Sequence, residues 1–361
     1  MVDFVTVPGD LVKEQITLVL RAWGVSEAHS NITAEAMVTT DLAGIDSHGI
    51  GMLPIYHERR KTGIINVNPN IHIAVDLGAA ARIDADRSLG HPASVMAMDL
   101  AIERARLYGV GVISVGNSNH FGAAGYYAMR ATEQNMIGMA MTNAPGSAMV
   151  PTFGRDAVLG TNPLAFAAPA CQDAPFGLDM ATTTVAVGKL NIARRAGKSI
   201  PEGWALNQDG IPETDGATAF AARRLTPLGG NRVLGSHKGH GLGMMVEILC
   251  ATLSNSWTSH LDEDGQPQRT TFDVGHFFMA IDQDRLRGDK GFGVDLDALH
   301  KLLRDTKPVD PDHKVMIPGD PERLAYAQRA HEGIPISATL MDEVRLVAQE
   351  SAVPFVMTQK T

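Results

Sequence analysis

Gly109-Val-Gly-Val-Ile-Ser-Val115, running on to Ser118-Asn119-His120-Phe121-Gly122, decides how the chain is read. The apolar, β-branched run predicts a buried strand whose end delivers Asn119 and His120 to a loop, where functional groups tend to gather. Two glycines one residue apart begin the dinucleotide fingerprint Gly-x-Gly-x-x-Gly, whose third glycine lets a helix close on the strand. Here that third position is Ser114, and Gly241-Leu-Gly fails in the same way at Val246. A standard Rossmann domain is therefore not supported.

Upstream of this strand, 71–75 and 81–85 alternate like paired strands around a turn at Gly78, and 92–108 has helical spacing. Downstream come a helix over 122–135, a strand over 137–142, and short apolar strands in 160–169 and 176–183 punctuated by Gly, Pro and Asn. A turn-rich stretch, 197–230, leads to Gly235-Ser-His-Lys-Gly-His-Gly-Leu-Gly and an apolar helix over 242–253; 256–270 predicts an exposed polar loop and 274–281 another strand. Both ends are helical: 9–23, 26–44 and 55–61 at one, 296–304, 323–332 and 341–348 at the other. The fold class is α/β. A helical layer comes from 1–75 with 296–361, 76–120 is an αβ connecting segment, 121–295 is a mixed-sheet domain, and the two ends pack together.

With 361 residues, 44% of them apolar, the chain is long enough for more than one core. Forty acids against 31 bases leave a net charge of −9 and no dense basic block, so nucleic acid and anionic membranes are poor partners. Cys171 and Cys250 have no CxxC spacing, which argues against a disulfide framework and a thiolate metal site and fits a reduced, cytoplasmic protein. The N-terminus lacks a basic region and cleavage site, and no apolar run is long enough to span a bilayer. Met96, Met98, Met244 and Met245 read as core filling within helical runs.

A second histidine resembles His120 in setting. Asp46-Ser47-His48-Gly49 follows a helical run and precedes Pro54, so His48 also stands where regular structure ends. Ser47 and Asn119 can hold an imidazole tautomer or bind a substrate oxygen, and such a histidine can pass a hydroxyl proton while hydride leaves the same carbon. A histidine that only hydrogen-bonds its own loop has the same signature. Lys238, in a Gly-rich loop before a helix, suits a phosphate, although a close-packed turn would look alike. His237 and His240 form an HxxH without carboxylates to complete a metal set. Asp46-Ser47-His48 is no hydrolase triad, since no nucleophile elbow accompanies it.

Leu42-Ala-Gly-Ile-Asp-Ser-His-Gly, Ser118-Asn-His-Phe-Gly, Leu159-Gly-Thr-Asn-Pro-Leu-Ala-Phe, Leu178-Asp-Met-Ala-Thr, His237-Lys-Gly-His-Gly-Leu and Pro318-Gly-Asp together, in this order, resemble the malate/L-lactate dehydrogenase family of the non-Rossmann type. That family includes ureidoglycolate dehydrogenase, diketogulonate reductase, hydroxycarboxylate dehydrogenase and cyclic-imine reductases. The resemblance implies a homodimer, a mixed-sheet domain that binds NAD or NADP, and reversible oxidation of a 2-hydroxy acid to a 2-oxo acid. It makes His48 and His120 the catalytic acid/base candidates and Ser47, Asn119 and Thr161 substrate-binding ones. Asp179, Met180, Ala181, His237, Lys238, Gly319 and Asp320 would line the cofactor; no metal is implied.

Two departures stand out. Many relatives carry Arg four residues beyond the motif histidine, a clamp for a substrate carboxylate; here that position is Met52, as in a hydroxycarboxylate dehydrogenase subgroup, which points to a larger or more apolar substrate tail. The usual aromatic at His240 is also replaced. Alternatives are an NAD(P)H-dependent reductase of cyclic imino acids and a decayed nucleotide-binding protein. Lys189, Arg194 and Arg195 could meet the 2′-phosphate of NADP or face water.

Overall fold

The computed structural model describes residues 4–144, 146–256 and 274–358, so the loop expected over 256–270 lies almost wholly outside the described residues. Strand β1 (Phe4–Val7) leads into helices α1 (Gly9–Ala22) and α2 (Glu27–Leu42). Val12, Ile16, Val19 and Leu20 recur on one side of α1 and are buried, and the Ser26 hydroxyl caps α2 by accepting the His29 N–H. After the 46–49 loop, a 3₁₀ turn (Ile50–Met52) enters α3 (Leu53–Lys61), whose first turn tolerates Pro54 because that nitrogen needs no partner there.

The chain then builds the sheet. β2 (His72–Asp76) and β3 (Ala80–Asp84) form the expected hairpin, with Gly78 in the left-handed region, and α4 (Gly90–Tyr108) crosses to β4 (Val110–Ser118). There follow α5 (Ala124–Thr132), β5 (Ile137–Thr142), β6 (Leu164–Ala168) and β7 (Phe176–Met180). A small lobe holds α6 (Val187–Arg195), β8 (Ala205–Leu206), β9 (Pro212–Glu213) and α7 (Gly216–Ala222) around Leu190, Ile200 and Leu225. Helix α8 (Ser236–Glu247) runs into a π turn (Ile248–Thr252), and β10 (Val274–Ile281), α9 (Gln283–Arg287), α10 (Phe292–Arg304), α11 (Asp320–Glu332), β11 (Ile334–Ser337) and α12 (Ala338–Glu350) complete the order.

Seven strands pair in the order β2-β3-β4-β10-β5-β6-β7. Only β3 and β4 are parallel, joined by α4 in a single βαβ unit; every other neighbour is antiparallel. The sheet is mixed, as expected, and the 76–120 segment contributes β3 and β4 to it. A buried β4 needs partners on both edges, and β3 and β10 supply them.

The glycines of the failed fingerprint act in packing. A Cβ on Gly111 would lie 2.1 Å from the Ala101 carbonyl oxygen, so glycine lets α4 seat directly on β4. Ile83, Ile113, Val115, Tyr127 and Phe278 fill the core under α4 and α5, and Met141, Val246, Cys250 and Phe277 fill the opposite side under α8. The terminal helices have a core of their own, Ile16, Leu20, Met37, Leu53, Tyr56 and Val344 among it. The expectation that the ends pack together holds: β1 pairs antiparallel with β11, Val7 opposite Ile334.

Two expectations are corrected. Helix α8 begins at Ser236, so Lys238 sits in its first turn rather than in a loop before it; Gly239 permits this, because a Cβ there would meet the Leu228 nitrogen at 2.3 Å. Met244 and Met245 are exposed, not core, since the buried stripe of α8 falls on Gly243 and Val246. Met98 is buried as read. Among the described residues no helix is long and apolar enough to cross a membrane.

Candidate active site

The loop carrying His48 is held from three sides. The Asp41 carboxylate, buried near the end of α2, accepts the Ile50 N–H at 2.8 Å. Gly49 leaves it room: a Cβ there would fall 1.9 Å from Asp41 Oδ1. Arg329 of α11 pairs with Asp46 and donates to the Asp41 carbonyl at 2.6 Å, tying the loop to the C-terminal helices. Burial, with Asp46 nearby adding to it, pushes the Asp41 carboxyl up to about 8.

This loop meets the end of β4. The rings of His48 and His120 stack with centroids 5.4 Å apart and planes 27° from parallel. Ser47 Oγ lies 2.7 Å from His48 Nδ1. His120 Nδ1 lies 2.7 Å from the hydroxyl of buried Tyr56 on α3 and accepts the Gly122 N–H at 3.3 Å. A backbone N–H can only donate, so in the neutral His120 ring the proton is on Nε2. Burial lowers both imidazoles; His120 is lowered further, because the His48 ring and the Arg59 guanidinium also oppose a positive charge there.

Behind the pair, burial holds His91 and His276 near 3, hence neutral. His91 meets the Tyr56 ring edge-on, its two nitrogens buried without a partner among the described residues. His276 bridges Thr142 and Ser118 and stacks on Phe121 at 4.6 Å.

A cavity of about 640 Å³ opens near the loops that carry this pair, lined by neither histidine itself. Ile45 and Ala123, each three residues from one of the histidines, line it, as do Gly125, Asp179, Gly319 and Arg323. Asp179 Oδ2 accepts the Gly125 N–H at 2.7 Å; the surrounding protein lifts its carboxyl to about 6 although the side chain still reaches solvent through the cavity. Phe166, Leu178 and Met129 supply apolar wall, and the first turn of α11 begins at its rim. The lining mixes this apolar wall with the carboxylates of Glu35, Glu133, Asp179 and Glu322 and the guanidinium groups of Arg130 and Arg323, the general make-up of a small-molecule site.

Not every expected residue reaches this place. Asn119 is buried and donates to the Arg87 and Ser88 carbonyls at 2.9 and 3.0 Å, fixing the turn that presents His120. Thr161 contributes its carbonyl to Thr182, while Met180 pairs with Leu164 and Ala181 follows at the end of β7. Asp320 is held at about 2: burial opposes its charge, but the Ile317 N–H, Arg323 and Arg304 outweigh it and occupy both oxygens. His237 and Lys238 are exposed on α8 and do not line the large cavity; His237 meets Arg232 at 3.1 Å. Sequence reasoning missed Tyr56 and Asp41. A tyrosine in the helix after the motif histidine and an acid before its loop were the available signals.

A family model for malate/L-lactate dehydrogenase matches residues 7–345. The chain belongs to this family. Malate/(S)-sulfolactate dehydrogenase of Methanothermus fervidus is 38% identical over 341 residues, covering 93% of this chain and 95% of that one. The structure of malate dehydrogenase from Pyrococcus horikoshii superposes with a TM-score of 0.86 at 35% identity, covering 98% of both chains. That of Δ1-piperideine-2-carboxylate reductase from Pseudomonas syringae gives 0.80 at 28% identity, covering 95% of this chain and all of the other. As a dehydrogenase of this family the chain is an oxidoreductase of CH–OH groups, and the family implies a nicotinamide cofactor.

Proposed function

We propose that the chain interconverts 2-hydroxy and 2-oxo acids with NAD or NADP, His48 and His120 handling the proton. The stacked pair, on loops whose neighbouring residues Ile45 and Ala123 line a cavity of about 640 Å³, carries this reading. The nicotinamide, when bound, supplies or takes up the hydride at C2. Asp179, the Gly319 backbone and the start of α11 would hold the cofactor, with Met180, Ala181, His237 and Lys238 as further contacts from the motif pattern. Asp320 acts by fixing that helix start.

Two imidazolium rings this close repel, so the pair takes up a single proton. His120, the more depressed ring, stays neutral and donates its Nε2–H to the substrate oxygen. His48 carries the proton, with Ser47 orienting its ring or binding that same oxygen. Ser47 serves the substrate side, Asn119 acts through the turn it holds, and Thr161 is a further contact from the motif pattern alone. Exposed Met244, Ile248 and Leu253 on α8 and its π turn offer an apolar strip for a homodimer in the cytoplasm, to be checked by light scattering.

The test is oxidation of NADH and NADPH against a panel of 2-oxo acids. Turnover of several is expected; turnover of none, with no cofactor binding, sinks the reading. Turnover of a piperideine carboxylate above every 2-oxo acid would favour an imine reductase instead.

A further inference from the structure

Met52 stands where many relatives have an arginine, and its side chain packs against the core of the terminal helices, so it offers an anionic substrate nothing. The cation must come from elsewhere. Along α3 the neighbours are engaged: Arg60 lies over the Trp23 ring at 5.3 Å, and Lys61 pairs with Glu58 and Glu350. Arg329 is tied to Asp46, and Arg323 to Asp320. Arg59 differs. It is half-buried, and its guanidinium makes no hydrogen bond or ion pair among the described residues.

Its position is informative. Arg59 is one turn beyond Tyr56 on the same helix face, and the Tyr56 hydroxyl is 2.7 Å from His120 Nδ1. It stands seven residues beyond Met52, which closes the 3₁₀ turn leading into α3. Its charge acts on both Tyr56 and His120. A guanidinium kept partly from water without a counter-ion is costly unless a ligand supplies the anion.

We infer that Arg59 holds the carboxylate of the substrate, in the place of the arginine that Met52 replaces. This rests on the 2-oxo-acid reading above. Arg59's planar fork suits two parallel N–H···O bonds to a carboxylate.

The experiment compares a 2-oxo acid with its methyl ester in wild type, Arg59→Gln, Arg59→Lys and Lys189→Gln, with cofactor Kd measured by NADH fluorescence. Lys189 is the control because it is exposed on α6, whose Gly188 Cβ position comes within 3.9 Å of the Ser47 Cβ. Arg59→Gln should raise KM for the acid by roughly ten- to a hundred-fold, the loss of a charged hydrogen-bond partner. The preference for acid over ester should collapse, cofactor Kd should stay as in wild type, and Arg59→Lys should recover part of the preference. An unchanged acid-to-ester preference in both Arg59 variants, or its collapse in Lys189→Gln instead, overturns the inference while leaving the 2-oxo-acid reading standing. A wild type that reduces no 2-oxo acid overturns both. Should Arg59→Gln fail to fold, the preference measured in Arg59→Lys decides.

Discussion

The two histidines arrive at one place with similar motifs and different support. His48 rides on a loop held by a buried carboxylate, a glycine and an ion pair to the C-terminal helices. His120 is set by the sheet: its turn is closed by Asn119, and its Nδ1 is occupied from within by Tyr56 and Gly122. The difference teaches how two like side chains take unlike roles. In the role proposed above, a ring whose inner nitrogen is held as an acceptor and whose charge is opposed on several sides would serve as a fixed donor, and the ring with fewer constraints would move the proton.

The largest expected effect breaks that comparison at its reacting end. His48→Ala should lower turnover by roughly a hundred-fold or more with cofactor affinity nearly intact, read by steady-state kinetics and NADH binding. Because burial lowers His48, its neutral form, the base for oxidation, persists through neutral pH. The oxidation rate should fall only as pH drops below the usual 6.5, and that acid limb should vanish in the variant. A limb that survives His48→Ala but disappears in His120→Ala would reverse the two roles.

Next comes the loop itself. Gly49→Ala places a Cβ on Asp41 Oδ1, and relief of the clash should cost about 2 kcal/mol or more, visible in urea unfolding; an unchanged midpoint would mean the loop shifts freely. On the sheet side, Tyr56→Phe removes the hydroxyl at His120, and kcat/KM should drop by about ten-fold, the worth of one hydrogen bond, with little change in thermal midpoint. If the midpoint falls and the rate does not, Tyr56 is only a core residue.

The smallest effect sharpens the role of Asp41. Its folded pKa, about 8, lies above the ordinary 3.8. Below 3.8 both folded and unfolded states hold the proton; as pH rises toward 8 the unfolded state releases it first, so stability is lost over that window. Asp41→Asn has no such titration, and its thermal midpoint should gain on wild type between pH 5 and 8. Equal midpoints across that range would show that Asp41 is ionised in the fold.

Much of the fold was legible. The hairpin at Gly78, strand β4 and the terminal helices follow from alternation, β-branching and helical spacing, which are local. The start of α8 was not, because its glycines suggest a loop until Leu228 is seen packed against Gly239. At the site, both histidines could be found from their places at the ends of regular elements. Nothing local, however, separated Asp320, saturated by two arginines, from Asp179, open to the cavity.

The sequence by itself determined that this is an α/β chain without a Rossmann fingerprint, that two loop histidines are its chemical candidates, and, through six motifs in order, which family it joins. Only the tertiary structure decided that those histidines stack, which nitrogen of His120 is held as an acceptor, and that Arg59, near Tyr56 and His120, has no counter-ion among the described residues. The reason is physical. Spacing along the chain fixes which side of a helix or strand a residue occupies, whereas pKa, tautomer and ion pairing depend on groups brought close from distant positions in the chain.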